Sequence, residues 1–136
     1  MKNVLVVSPD PVFYGPVLEA FVGTDNLAEW VGSSVAAIER MRDQTKGRVD
    51  AIVTAGRSHG VEYADEIVPV AKELGIKPII VLTKYRDEYE MQHEKDPDIH
   101  VVSNCNANYC QAILRILEGG ETIPRSQVPP HPQNLE

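Results

Sequence analysis

The sequence predicts an α/β domain in which a five-stranded parallel sheet, in the order 2-1-3-4-5, carries helices on both faces. Three observations support this three-layer sandwich. Five short apolar runs alternate with segments of helical spacing, a pattern typical of parallel strands joined by right-handed crossover helices. Residues 51–53 contain no polar side chain, as expected of a central strand buried on both faces. The length of 136 residues suits one domain with a sizeable core.

The first strand–helix unit begins with the apolar residues 4–7. Asp10 is a suitable helix N-cap and Pro11 suits the first helical position. Pro16 interrupts the pattern that follows, because proline lacks the N–H that a helix interior requires. We therefore expect the regular helix to begin near Gly15.

The second unit consists of a strand at residues 27–31 and a helix that Ser33 or Ser34 caps. Glu29 interrupts the strand, which predicts a place near the edge of the sheet. Gly47 is expected to end the helix. The helix is predicted to have an apolar inner face, formed by Val35, Ile38 and Met41. Its solvated outer face is predicted to consist of Arg40, Arg42, Asp43 and Lys46.

The second half of the chain contains three further strands. The third strand leads into a helix that follows Gly60 and ends at Gly75, and the fourth strand covers residues 79–83. Residues 85–95 predict a polar, weakly held helix. The fifth strand covers residues 99–102, and Asn106 or Asn108 is expected to cap a last helix that ends before Gly119.

The predicted domain covers residues 1–120. Residues 121–134 contain four prolines and no periodic pattern, which is typical of an extended linker between domains. Residues 135–136, Leu-Glu, are interpreted as a remnant of cloning.

Composition excludes several classes of function. The net charge is −7, and no cluster of lysine or arginine forms the basic stripe that a nucleic-acid-binding protein needs. No signal peptide or membrane-spanning run is apparent, so we expect a cytoplasmic protein with no membrane partner. Cys105 and Cys110 are too few for a disulfide framework or a zinc site and are expected to be reduced thiols.

The chain resembles the receiver (CheY-like) domain of bacterial response regulators over about residues 2–118, which implies a flavodoxin-like fold. Three features carry the resemblance: the strand VLVV followed by a polar turn and Asp10-Pro11, the helical segment 34–41 after a short second strand, and the run KPIIVLT. The last of these places Thr83 at the position of the family's conserved hydroxyl.

The chain departs from the receiver pattern where the chemistry of the family lies. Ser8-Pro9 stands where the resemblance implies a pair of Mg²⁺-binding acids, and only Asp10 remains. Thr54-Ala55 stands at the phosphoacceptor aspartate, and Ser103-Asn104 at the conserved lysine. Acyl phosphate formation needs the carboxylate and the metal together. We therefore expect no aspartyl phosphorylation, no metal, no cofactor and no enzymatic activity.

Two interpretations of this region remain open. The residues at the carboxyl ends of the strands could form a shallow polar pocket for a small anion, with helix N-termini as backbone donors. Alternatively, they form a degenerate phosphorylation site whose hydroxyls only satisfy local backbone groups. The residues concerned are Ser8, Pro9, Asp10, Thr54, Gly56, Thr83 and Asn104.

The loop after the third strand is a second candidate site. Arg57 and His59 could grip a phosphate, whereas Ser58 could be modified or could simply cap the next helix. Trp30 has no aromatic neighbours in the sequence and is expected in the core or as an interface anchor.

The favoured function is that of a non-phosphorylatable receiver-like domain that dimerises or docks a partner, with a small-ligand-binding flavodoxin-like domain as the alternative. The predicted interface combines large contact residues with charges that suit its rim, namely Tyr85, Arg86, Tyr89 and Tyr109. These tyrosines could instead attach their helix to its own sheet. Receiver-like domains of this kind resemble those fused to output domains or to ParA/MinD-type ATPases of pilus and secretion systems.

Overall fold

The structure, a computed structural model, describes residues 2–58, 61–84, 96–103, 105 and 107–119. Five parallel strands form the main sheet, in the order β2-β1-β3-β6-β7. This is the predicted order 2-1-3-4-5, because the two remaining strands form a separate hairpin. The strands are β1 (Asn3–Val7), β2 (Leu27–Val31), β3 (Ala51–Ala55), β4 (Arg57–Ser58), β5 (Val61–Glu62), β6 (Ile79–Thr83) and β7 (Ile99–Ser103).

The described residues form four α-helices, two on each face of the sheet. They are α1 (Pro11–Ala20), α2 (Ser34–Arg42), α3 (Tyr63–Glu73) and α4 (Tyr109–Leu117). None of them is long and apolar enough to cross a membrane. The predicted helix at residues 85–95 and the predicted linker at residues 121–134 lie outside the described residues.

The sheet separates two apolar clusters. Alternate strand residues such as Leu5 and Ile52 pack with α2 and α3, whereas Val6 and Val53 pack with α1 and α4 on the opposite face. All five residues of β3 are buried, because this strand has a neighbour on each side and helices on both faces. The central strand is therefore confirmed, and its apolar run has the physical cause that the sequence suggested.

The expected start of α1 near Gly15 is wrong, since the helix begins at Pro11. The Asp10 side chain accepts a hydrogen bond from the Val12 N–H at 3.0 Å, which caps the first turn. Pro16 lies inside the helix, where its missing N–H would have bonded to the carbonyl of Val12. Because Val12 is in the exposed first turn, water can reach that carbonyl and the proline is tolerated there.

The predicted faces of α2 are partly wrong. Ser33 is the N-cap, and its hydroxyl accepts from the Ala36 N–H. Met41 is buried as predicted, but Val35 is 69% exposed and Arg40 is buried. The buried residues Ser34, Ala37 and Met41 follow spacings of three and four, which places Val35 outside that face.

The end of α2 also differs from the prediction. The helix ends at Arg42, and a 3₁₀ turn at Gln44–Lys46 separates it from Gly47. Gly47 has a φ of 95°, so it ends this extra turn rather than the α-helix. The later helices end and begin near the predicted residues, with Gly75 after α3 and Asn108 at the N-cap position of α4, although the Asn108 side chain makes no capping hydrogen bond there.

Candidate functional site

The carboxyl edge of the sheet brings together the polar residues that follow or end its strands. Register pairs Val7 with Thr54, so Ser8 and the end of β3 are neighbours. Thr83 pairs with Ser103 at the end of β7. Ser8, Thr54 and Thr83 are each at most 3% exposed. The structure therefore places Ser8, Thr54 and Thr83 at the same edge of the sheet, whereas Asn104 lies outside the described residues.

The turn between β1 and α1 uses its own polar groups. The Ser8 hydroxyl accepts from the Asp10 N–H at 3.1 Å, and the Asp10 carboxylate accepts from the Val12 N–H. The Ser8 carbonyl accepts from the indole N–H of Trp30 at 2.8 Å, and the Ser8 N–H donates to the carbonyl of Val31. The only carboxylate of this turn is thus engaged as a helix cap.

The end of β3 offers no carboxylate. The Thr54 hydroxyl donates to the carbonyl of Ala55 at 3.0 Å, a bond within the strand itself. Ala55 is 1% exposed and presents only a methyl group. These contacts favour the interpretation in which the hydroxyls at this edge serve the local backbone. Among the described residues, no group of three or more His, Cys, Asp or Glu side chains could hold a metal ion.

The loop after β3 forms a short antiparallel hairpin that the sequence did not predict. Arg57 of β4 pairs with Glu62 of β5 across this hairpin and forms an ion pair with its carboxylate. The guanidinium is therefore engaged by a neighbouring acid. Ser58 is not the cap of α3, because the helix begins at Tyr63 with Glu62 at the N-cap position. His59 lies outside the described residues, so the ligand role of this loop remains a prediction.

Of the predicted interface residues, Tyr109 is the one that the structure describes. It is partly buried and packs on the apolar cluster beneath α1 and α4. Burial raises the pKa of its hydroxyl, with the adjacent thiol of Cys110 adding to the effect. This packing agrees with the alternative in which the tyrosine attaches its helix to its own sheet. Tyr85, Arg86 and Tyr89 lie outside the described residues.

Cys110 follows Tyr109 in the first turn of α4. Its sulfur lies 3.7 Å from the carbonyl oxygen of Pro16 in α1. Burial raises the pKa of this thiol, and the hydrogen bond with Tyr109 opposes that effect only in part. The thiol form is therefore favoured, and the contact joins the two helices on this face of the sheet.

The amino edge of the sheet contains the most heavily bonded charge among the described residues. The Nε of Arg40 donates to both carboxylate oxygens of Glu29, at 2.9 and 3.0 Å. Its terminal nitrogens donate to the carbonyls of Asp43, Lys46 and Gly47. This guanidinium connects β2 to the loop before β3. Sequence reasoning missed it because its partners include a distant strand and carbonyls that only the folded loop presents.

A cavity of about 250 Å³ lies beside this arginine. It lies between strands β1 and β2, the loop before β3 and the Arg40 side chain. It is lined by Asn3, Val4, Leu5, Leu27, Ala28, Glu29, Arg40, Lys46 and Val49. The guanidinium in its wall is engaged, because Arg40 already donates to the Glu29 carboxylate and to three loop carbonyls.

Trp30 is the other feature that the sequence did not resolve. It is 42% exposed and stacks on Tyr14 of α1, with ring centroids 4.4 Å apart. Trp30 is therefore not a core residue, and the fold gives it an aromatic neighbour. The stack was hidden because it depends on a helix that begins at Pro11, four residues earlier than Gly15, where the sequence had predicted the start.

Comparison with known proteins identifies the fold. No family model and no curated protein matches the sequence. A receiver protein from Sinorhizobium medicae is 15% identical with a TM-score of 0.71, covering 87% of this chain and 92% of its own. The receiver domain of Salmonella RcsB with phosphomimetic BeF₃⁻ is 19% identical with a TM-score of 0.69, covering 92% and 94%.

A designed Rossmann 2x3 protein is as similar in structure as these receivers. It is 16% identical with a TM-score of 0.68 and covers 96% of this chain and all of its own. The fold is therefore the α/β fold that receiver domains share, with a five-stranded parallel sheet. At such identities the likeness concerns architecture, and the chemistry has to be argued from the site.

Proposed function

We propose that this chain is a receiver-like signalling domain that is not phosphorylated on aspartate and acts through protein–protein contacts. Its structural neighbours among receiver proteins support signalling as the general role. One observation carries the finer proposal: the side chains of Ser8 and Asp10 are bonded within their own turn, and that of Thr54 is bonded within its own strand. Ala55 closes the central strand beside them with a methyl group.

Phosphorylation on aspartate requires a carboxylate nucleophile and a hard cation that neutralises the incoming phosphoryl group. Ala55 supplies no nucleophile, and the Asp10 carboxylate accepts from the backbone at the start of α1. A single acid already engaged as a cap is a poor site for Mg²⁺, which prefers several oxygen ligands. The domain is accordingly non-enzymatic and transmits no phosphorylation-dependent change.

A domain without this chemistry acts through its surface. Dimerisation or docking through Tyr85, Arg86 and Tyr89 is the candidate contact, because large contact residues among charges suit a small interface. The proline-rich residues 121–134 favour a position beside a second domain. A fused output domain or a ParA/MinD-type ATPase of a pilus or secretion system is the proposed partner.

Incubation with acetyl phosphate and Mg²⁺, followed by intact-mass measurement, tests the absence of phosphorylation. The mass should not change, whereas a receiver with its acids intact, treated in parallel, should gain a phosphoryl group. Titration with beryllofluoride should likewise leave the amide spectrum unchanged. An adduct of about 80 Da that is lost at alkaline pH, as an acyl phosphate is, would contradict the proposal.

Sedimentation analysis tests the proposed contact. If the chain self-associates through this surface, Tyr89→Ala or Arg86→Glu should shift it toward the monomer while the circular dichroism spectrum stays the same. Arg48→Glu, a charge reversal in the loop before β3, is the matched control and should leave association unchanged. A wild-type chain that sediments as a monomer at all concentrations excludes self-association and leaves docking to another protein.

A further inference from the structure

An aromatic platform, defined here as Trp30 and Tyr14, lies on the outer edge of the sheet. The rings stack with an angle of 28° between their planes. The hydrogen bond from the indole N–H to the Ser8 carbonyl fixes the orientation of Trp30. Because the ring is held in place while much of it remains in water, a ligand that covers it orders few side chains on binding.

Gly32 keeps the space beside this platform open. A Cβ atom at position 32 would lie 3.2 Å from Cζ2 of Trp30 and 3.8 Å from Cη2. Any larger residue would press on the benzene ring of the indole. Val12, at the start of the helix that carries Tyr14, is 82% exposed and adds apolar surface at the same end of the sheet.

The chain itself carries a segment with the chemistry that such rings bind. Residues 129–132 read Pro-Pro-His-Pro, so Pro129 and Pro132 are three residues apart. A polyproline II helix has three residues per turn, which places these two prolines on one face about 9 Å apart. Proline-rich segments of this spacing dock on aromatic side chains, because the preformed helix loses little entropy on binding.

The length of chain between α4 and these prolines is sufficient. The helix α4 packs on α1 through Cys110 and Pro16, and it ends near the amino edge of the sheet. The platform lies beyond α1, about 15 Å from the axis of α4, because an interaxial distance of about 10 Å adds to a helix radius of about 5 Å. It lies about 17 Å away along the strand direction. The ten residues from Gly119 to Pro129 span about 31 Å in an extended polyproline conformation, which exceeds that path.

We propose that residues 128–132 dock on the Trp30–Tyr14 platform of their own chain. The docked prolines cover the exposed indole and occupy the surface beside the edge strand β2. The contact involves residues other than Tyr85, Arg86 and Tyr89, so it stands or falls independently of the proposed function.

Trp30 is the only tryptophan of the chain, so its fluorescence reports on the platform alone. Replacement of both Pro129 and Pro132 by alanine should raise the acrylamide quenching constant about two-fold, because it uncovers one face of the indole. Pro124→Ala, in the same segment but outside the motif, is the matched control and should behave as wild type. Equal quenching in the wild type and the double variant would overturn the proposal.

A second comparison separates docking from an indirect effect on the fold. In a Tyr14→Leu background, which removes one ring of the platform, the same proline replacements should change quenching far less than in the wild type. An undiminished change would mean that the prolines act elsewhere and would overturn the proposal. Protection of Trp30 that increases with protein concentration would overturn its intramolecular form, since the segment of a second copy would then be the occupant.

Discussion

The two edges of the sheet differ in whether they bury a charged side chain. At the carboxyl edge, the buried polar residues Ser8, Thr54 and Thr83 are small and neutral. At the amino edge, the buried Arg40 binds Glu29 and three loop carbonyls. A phosphorylatable receiver needs its charges at the carboxyl edge, where acids hold the metal ion and one carboxylate accepts the phosphoryl group. In this chain the buried charge has a structural task at the opposite edge, and the carboxyl edge ends its central strand in Thr54 and Ala55, which offer no carboxylate. This absence of acids is the physical basis of the proposed loss of phosphorylation.

The largest loss of stability is expected from a change in β3, the central strand, which runs from the amino edge of the sheet to its carboxyl edge. Ile52, at the centre of β3, is fully buried, so Ile52→Ala should lower the free energy of unfolding by about 2–5 kcal/mol. Urea denaturation measures this loss. Val22→Ala, at a position that is 79% exposed, is the control and should change stability by less than about 0.5 kcal/mol. Similar losses in the two variants would contradict the assignment of β3 as the central strand.

The next largest effect concerns the buried charge of the amino edge. Arg40→Ala should cost about 1.5–3 kcal/mol of unfolding free energy, as expected when hydrogen bonds from a charged group are lost. Arg40→Lys should restore little of it, because an ammonium group cannot reach a carboxylate and three carbonyls with the planar geometry of a guanidinium.

Arg42 is the matched control for Arg40, since it lies two residues along the same helix. Its ion pair with Glu73 is exposed on both sides, and exposed pairs contribute little. Arg42→Ala should therefore leave the urea midpoint close to that of the wild type. If Arg40→Ala were equally mild, the bonds of Arg40 would not stabilise the loop before β3.

The carboxyl edge can be tested by introducing a charge there. Ala55→Asp buries a carboxyl group at a position that is 1% exposed, and this should cost about 1–3 kcal/mol at neutral pH. Desolvation raises the pKa of such a group in the folded state. The penalty should therefore be small below the unfolded pKa of aspartate and should grow as the pH rises through the folded pKa.

Ala55→Asn separates this charge effect from the change in shape. Its side chain is similar in size and does not titrate, so its cost should stay the same across that pH range. Denaturant titrations of the two variants between acidic and neutral pH provide the comparison. An Asp variant whose stability followed that of the Asn variant at every pH would show that the edge accepts charge.

The sequence was sufficient for the sheet but only in part for its two edges. Apolar runs such as residues 79–82 indicate burial directly, because a strand buried on both faces has few positions for polar side chains. The burial of Arg40 depends instead on Glu29 from another strand and on carbonyls of a folded loop. Helical spacing alone cannot reveal such partners, so Arg40 was predicted to lie on the solvated face of its helix.

The same limit applies to the candidate site. The absence of acids at residues 8, 54 and 55 could be read from the sequence, because serine, threonine and alanine have no carboxylate where the receiver pattern implies one. The cap at Asp10 was also predicted from the sequence and is confirmed. The stack of Trp30 on Tyr14 was not, because it depends on a regular helix that already includes Tyr14. The hairpin β4–β5 has two residues in each strand, which is too short for a two-residue periodicity to be seen.

The smallest expected effect is that of the exposed pair between Arg42 and Glu73. The hydrogen bond from the guanidinium, followed by its charge, lowers the pKa of Glu73 below its usual value. The pair therefore contributes stability above the unfolded pKa of glutamate and loses it as the pH falls through the lower folded pKa. Glu73→Gln should melt slightly below the wild type at neutral pH and level with it in acid, once Glu73 is protonated. Added salt should reduce the neutral-pH difference, because both groups face water. Glu66→Gln, also an exposed position on α3, is the control that removes the same charge without this partner. A difference at neutral pH that persisted in acid would assign the effect to packing of the side chain rather than to the ion pair.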